Sequence, residues 1–413
     1  MKRAAFVLIA MLLAGLAPAQ EDRRLKDLLQ KLEDESIAVR SSAASGLATY
    51  GKSAIPLLRR AASESGSETR DRLAEVIRKI EERERLSALL PPASLITLDA
   101  RNKPLREVFQ RVARQSRTPI DLTDVPEDAL VTVALDRVPF WRAVEEICRA
   151  SGKVMATTES GHLGFSAEPY MALPGKTTEQ FRATLQRIEL SSNGTFGQPD
   201  RFESFNAVFH LCWEKGVRPW RVSGRILGLV DETGVDLIAL AGDTETPVQT
   251  SPAPDSVHRE FQLTYPRGPG PQAVRIGRLL VEFELEFPLR YAEVRLDVAD
   301  GRMPAPGECP EFTARLNRLE RQEASLLATL TLGFGAPPES EVLPESIILR
   351  DHKGVDHVAI ITDAPPPAEN EAVLQLAFPD VPEGEALKEL VIRIPVEVHR
   401  ERLEIDLKDI PLK

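Results

Sequence analysis

The stretch Ile96–Leu122, ITLDARNKPLREVFQRVARQSRTPIDL, is followed by Val131–Val154, VTVALDRVPFWRAVEEICRASGKV. The two carry one pattern at a constant offset of 35 residues. Ile96-Thr97-Leu98 recurs as Val131-Thr132-Val133. Pro104-Leu105 recurs as Pro139-Phe140, and Val108, Phe109, Val112 and Ala113 as Ala143, Val144, Ile147 and Cys148. Ile96 and Leu98 alternate at the strand period, whereas the later positions fall on one face of a helix. Each proline suits the first helical turn, where its missing N–H leaves nothing unpaired. Each copy therefore reads as strand, short turn, amphipathic helix and strand. Pro119–Leu122 supplies the strand after the first helix. Lys153–Thr157 and Leu163–Ser166 form a closing hairpin. Two helices on one face of a small sheet enclose a single core.

Working outward, residues 21–90 read as helices. Leu25, Leu28, Leu29 and Leu32 form an amphipathic stripe; Val39, Ala43 and Leu47 form a second. A third helix starts beside Pro56 and a fourth covers Ser67 to Leu90. Gly51 is the expected C-terminal cap of the second. Pro91-Pro92 ends the lead-in.

At the start, Lys2 and Arg3 precede an apolar run from Ala4 to Leu16, then Ala17-Pro18-Ala19. Residues 1–19 thus read as a signal peptide cleaved before Gln20, which places the chain in the periplasm or outside the cell. Loss of Lys2 and Arg3 takes the formal charge from -11 to -13. That acidity argues against a nucleic-acid partner, which needs a basic footprint. No later stretch reads as a membrane span. Cys148, Cys212 and Cys309 are too few for a disulfide framework, and Cys148 falls on an apolar helix face. A Cys212–Cys309 bridge has no supporting pattern.

From residue 169 the pattern changes to alternating strands with proline and glycine turns, and it repeats. Phe181, Leu185, Arg187 and Glu189 recur as Phe312, Leu316, Arg318 and Glu320. Leu279, Val281, Phe283, Leu285 and Phe287 recur as Leu390, Ile392, Ile394, Val396 and Val398. Asp231-x-x-Gly234-Val235-Asp236 recurs as Asp351-x-x-Gly354-Val355-Asp356. The intervening Val235–Leu240 reads as a strand and Thr244–Ser256 as a polar loop. The expected fold class is multidomain: a short α-helical repeat, a small α+β module with a duplicated βαβ plan (94–168), and two tandem all-β sandwiches (169–302 and 303–413). A looser pair of β-barrels is the alternative.

Two resemblances add to this. Leu32–Ala62, LEDESIAVRSSAASGLATYGKSAIPLLRRAA, resembles HEAT-type helical repeats, which stack and offer contact surfaces. The duplicated module resembles the short N-terminal domain of secretins and TonB-dependent transducers (the STN, or secretin N0-like, domain). That resemblance implies a periplasmic protein-contact module without catalysis. The secretin core, barrel and plug of those families are absent from this sequence, so their secretion and uptake roles do not carry over. The alternating strands of 169–413 suit Ig-like sandwiches.

No HExxH, GxSxG, SxxK or P-loop pattern is present. The paired Asp-x-x-Gly-Val-Asp segments tempt a calcium reading, but two carboxylates each fit a turn better. His352 and His357 lack a third ligand for zinc, and His162 has no companion. Asn193-Gly-Thr195 matches a glycosylation sequon. No catalytic, metal or cofactor residue is assigned and no cofactor is expected. Trp213 and Trp220 are the candidates for an interaction surface, since large aromatics anchor interfaces. The expected function is a non-catalytic exported adaptor of the bacterial cell envelope, binding another envelope protein or itself. The alternatives are an architectural protein with the sandwiches as spacers, then a glycan binder or hydrolase.

Overall fold

A computed structural model of the chain describes residues 24–157, 163–193, 202–241, 248–250, 256–266, 268–269, 273–299, 303–322, 325–335, 342, 346–363 and 370–412. The expected signal peptide and His162 lie outside these residues. The chain divides into two units, Met1–Ala88 and Leu89–Lys413. The architecture is an N-terminal helical region, then β-α units, then mainly antiparallel sheets.

The first unit holds helices α1 (24–31), α2 (Ile37–Ala48), α3 (Ile55–Glu64) and α4 (Ser67–Leu89). Leu25, Leu32, Ala43, Leu47, Leu58, Leu73, Val76 and Ile80 close its core. Pro56 sits in the first turn of α3. Gly51 does not cap α2. The helix ends at Ala48, Thr49 follows in a right-handed conformation, and Gly51 is an extended residue before a short 3-10 turn. Arg83 reaches back from α4 to the Ala48 carbonyl at 2.8 Å and to the Tyr50 carbonyl at 2.5 Å, satisfying the last carbonyl of α2 and one just beyond it without glycine.

The second unit opens with β1 (Leu95–Pro104), α5 (Leu105–Ser116), β2 (Leu130–Pro139) and α6 (Phe140–Ser151), then the hairpin β3 (Lys153–Thr157) and β4 (Leu163–Pro169). No turn separates β1 from α5. The strand runs straight into the helix at Pro104, as β2 does at Pro139. The expected strand at Pro119–Leu122 is reduced to one bridge, Ile120 to Leu163. β1 and β2 pair antiparallel, with Leu95 opposite Pro139 and Pro104 opposite Leu130. Each pair joins a residue of one copy to the counterpart of its mirror position in the other, so a pseudo-two-fold axis passes between the strands.

That symmetry reaches single residues. Asn102 and Arg137, 35 apart, both have positive φ (50° and 51°) at bulges. The Asn102 amide donates to Thr132 Oγ1 (2.9 Å), and the Arg137 amide donates to Thr97 Oγ1 (3.2 Å). The helices end alike too, with Arg117 (φ 57°) and Gly152 (φ 68°) left-handed.

The remainder is built of two matching halves. The first contains β5 (Gly175–Thr177), β6 (Phe181–Asn193), β7 (Phe202–Trp213), β8 (Arg221–Asp231), α7 (Leu237–Ala241), β9 (Val248–Thr250), β10 (His258–Tyr265) and β11 (Arg275–Asp297). The second contains β12 (Gly307–Glu308), β13 (Phe312–Gln322), β14 (Ser325–Phe334), β15 (Ile347–Asp351), β16 (Asp356–Val358), β17 (Ile360–Asp363), β18 (Glu371–Phe378) and β19 (Leu387–Pro411). The sheet β10-β7-β6-β5 matches β18-β14-β13-β12, which carries β17 as an extra edge. Both even place a bulge alike, between Leu185 and Arg187 and between Leu316 and Arg318. Val235–Leu240, expected as a strand, is instead a bridge at Asp236 followed by α7.

The halves share one sheet. β11 and β19 pair along nearly their whole lengths, from Arg275↔Pro411 to Asp297↔Glu389, so the pairing crosses the expected 302/303 boundary. The order β16-β15-β19-β11-β8-β9 makes the early part of β11 a neighbour of β8 and the early part of β19 a neighbour of β15. Leu279 faces Leu407 while Leu296 faces Leu390, a second pseudo-two-fold exchange. Phe283 packs on Phe209 and Phe261 of the first half. Beyond Pro288 the same strand gives Ala292, Val294 and Leu296 to the second half's core, beside Leu390, Ile392 and Ile394. Gly224 on β8 is required here: a Cβ would lie 2.8 Å from the Phe283 ring.

Candidate interaction surface

The duplicated module has two faces of opposite character. Ile96, Leu98 and Ala100 of β1 and Val131 and Leu135 of β2 point to α5 and α6 and are buried. The other face carries Leu95, Thr97, Asp99 and Arg101 beside Leu130, Thr132, Ala134 and Asp136, all exposed. Leu95 and Leu130 are symmetry mates, 44% and 48% exposed, well above what a strand residue in a covered sheet retains. Among the described residues β1 and β2 pair only with each other.

Part of the helical side is occupied from within, while Glu107, Gln110 and Arg114 of α5 and Arg142, Glu146 and Arg149 of α6 are exposed. Trp141 of α6 is buried and its indole N–H donates to the Gln180 carbonyl (2.9 Å). Cys212 of β7 and Val257 belong to the same core cluster as Phe140 and Ile147. Glu214 accepts the Ser94 amide on both carboxylate oxygens (3.1 Å each). The Arg218 amide donates to the Leu89 carbonyl at 2.7 Å, and Gln180 Nε2 donates to the Pro91 carbonyl at 2.9 Å. The module is therefore joined to the following sheet through α6 and its strand ends, and among the described residues the outer face of the ribbon stays exposed.

Burial raises the Glu214 pKa, and the Ser94 hydrogen bonds offset part of the rise. Burial likewise pushes the Cys148 thiol up to about 12 and the Cys212 thiol to about 11, so both are inert hydrophobes at neutral pH. All three cysteines are free. Cys212 lies in the module's core and Cys309 against the core of the second β half, so they are not paired.

Trp213 and Trp220 are separated in role. Trp213 is buried, and its indole donates to the Ser256 carbonyl (2.9 Å). Trp220 is half-buried, meets Tyr291 edge-on at 5.7 Å, and precedes the strand whose Arg221 grips buried Glu286 (2.7 and 3.1 Å). Each Asp-x-x-Gly-Val-Asp segment is a turn. Asp231 Oδ1 accepts the amides of Thr233 (2.8 Å) and Val235 (3.0 Å), and Asp351 Oδ1 those of Lys353 and Val355 (2.8 Å each). Gly234 and Gly354 supply positive φ. The Thr233 hydroxyl and these amides hold Asp231 low. Burial works to raise Asp351, but the Val355 and Lys353 amides and His357 outweigh it. His357 is buried with Nε2 3.6 Å from Asp351 Oδ2. Among the described residues no three ligating side chains gather in one place.

Two concave regions stand out among the described residues. A groove between α2 and α4 sets Ser41, Ala44 and Ser45 against Glu68, Asp71 and Glu75. Glu68 is bound to Arg72 (2.6 Å) and Glu75 to Arg78 (2.7 Å), which holds Glu75 down at about 2. A smaller cleft lies between Arg142, Glu145 and Arg149 of α6 and Thr177 and Thr184. In the cleft the Thr177 hydroxyl donates to Glu145 Oε2 at 3.4 Å. No protein-family model, curated protein or solved structure matches this chain significantly. No helix among the described residues is long and apolar enough to cross a membrane.

The sequence pattern pointed to the module but not to its free side. Alternation marks which strand residues share a face, and the packing of Ile96, Leu98, Ala100, Val131 and Leu135 on the helices decides which face stays open.

Proposed function

We propose that this is a non-catalytic contact protein of the bacterial envelope, exported by its first 19 residues, whose duplicated module docks another envelope protein. In this reading the helical lead-in is a HEAT-type repeat, the module is STN-like, and the two β halves are Ig-like sandwiches that carry it. The observation behind it is the ribbon β1–β2, whose outer face is exposed and which, among the described residues, pairs with no other strand. The alternative architectural reading is supported by the sheet shared between the halves, which suits a stiff spacer.

The test is capture from the envelope fraction with the full chain and with the Leu95→Glu/Leu130→Glu variant. A single envelope protein retained by the wild type and lost by the variant is the expected result. Retention by both moves the contact off the ribbon. If the wild type binds only copies of itself, the architectural reading replaces this one.

A further inference from the structure

The two copies of the module differ at one strand edge. In the first, Gln115 near the end of α5 brackets Thr97: its Oε1 accepts the Thr97 amide (3.0 Å) and its Nε2 donates to the Thr97 carbonyl (3.1 Å). The side-chain amide does there what a peptide group of an adjoining strand does. Thr132 holds the same place in β2, and both threonines fall outside the β1–β2 register. The residue 35 positions after Gln115 is Ala150, whose methyl group can neither donate nor accept. No side chain among the described residues hydrogen-bonds the Thr132 amide or carbonyl.

The surrounding chemistry says what fits. Leu130–Leu135 is uncharged, rich in β-branched residues, and lacks the lysine or proline that guards natural strand edges. Glu127, Asp128 and Asp136 flank it, exposed and without ion pairs among the described residues, and with exposed Arg137 beside Asp136 the flanks remain net acidic. A second copy of β2 would bring these carboxylates against its own, whereas basic flanks would pair with them.

We propose that the outer edge of β2 binds an extended polypeptide segment with an uncharged β-branched centre and basic flanks, its peptide group taking at Thr132 the place Gln115 takes at Thr97. This rests on the contact-module reading and names the partner's chemistry. Added strands gain affinity from main-chain hydrogen bonds and specificity from flanking side chains.

The test uses the full chain and a synthetic peptide with a Val-Thr-Val-Thr-Val centre between lysine pairs, beside the same peptide between glutamate pairs. Hydrogen exchange should slow at the Thr132 and Ala134 amides on adding the lysine peptide. The lysine peptide should bind about tenfold or more tighter than the glutamate peptide. Ala150→Gln, which restores the clamp, should weaken binding about tenfold without lowering the melting temperature. Absence of protection, or equal binding by wild type and A150Q, overturns the proposal, as does a dimer of the chain that A150Q disperses. An envelope partner held equally by wild type and A150Q would overturn this edge assignment while leaving the contact reading intact. Capture of no partner by the wild type would sink the contact reading itself.

Discussion

At the scale of single residues, Glu214 is the side chain whose role its sequence neighbourhood conceals. It follows Trp213 in an ordinary strand ending, yet it is buried and holds the amide of Ser94, far away in the chain. Its folded pKa is raised by burial, so the ionised form is disfavoured in the native state. Its stability contribution is therefore complete below the ordinary glutamate range near about 4.3 and falls away as pH rises through the raised value. Glu214→Gln keeps an oxygen for the Ser94 amide and carries no charge. Its melting temperature relative to wild type should climb as pH is raised from about 4 to about 7. A variant that melts below wild type at neutral pH would show that the carboxylate charge is stabilising. The two aspartate turns, by contrast, were legible, because Asp and Gly act within a few residues of each other. Trp213 was not, because a strand tryptophan has the same sequence signature whether it packs inward or faces a partner.

At the scale of elements, the helices, the hairpin and the strand alternation were readable from periodicity, and the points that were not are junctions. The pattern placed a short turn before each helix and the prolines in its first turn, but Pro104 and Pro139 are the N-caps, extended at ψ 130° and 142°, so each strand passes directly into its helix. The strand expected at Val235–Leu240 gave way to α7, since Asp236 Oδ1 accepts the amides of Ile238 (3.0 Å) and Ala239 (3.3 Å) and so starts a helix. Helix termination differs between the copies of the module in a way that can be measured. α6 ends on Gly152, which takes the left-handed conformation freely, whereas α5 ends on exposed Arg117 at φ 57°. A non-glycine residue there costs about 1 kcal/mol. Arg117→Gly should thus raise stability and Gly152→Ala lower it, each by about 1 kcal/mol, in denaturant titrations with unchanged slopes. Effects of the same sign would mean that the two caps are not equivalent.

At the scale of the molecule, the chain pairs each duplication with itself. β1 meets its copy β2, and β11 meets its copy β19, both antiparallel about a pseudo-two-fold. The duplication was legible because Leu279–Phe287 and Leu390–Val398 repeat side chain by side chain. Their exchange was not, because which strand lies beside which depends on contacts more than a hundred residues apart, and either half could have closed on itself with the same alternation. The exchange has a thermodynamic consequence. Phe283 packs in the first half and Ile392 in the second, yet both lie on strands that serve both cores. Losing either large side chain should remove about 3–5 kcal/mol for Phe283→Ala and 2–5 for Ile392→Ala. If the shared strands couple the halves, each substitution lowers one common transition. In Phe283→Ala, amide exchange should then accelerate in β13, β14 and β18 as much as in β6, β7 and β10. Loss of protection confined to β6, β7 and β10 would mean that the long strands join two independently folding halves, and stiffness between them would have to come from elsewhere.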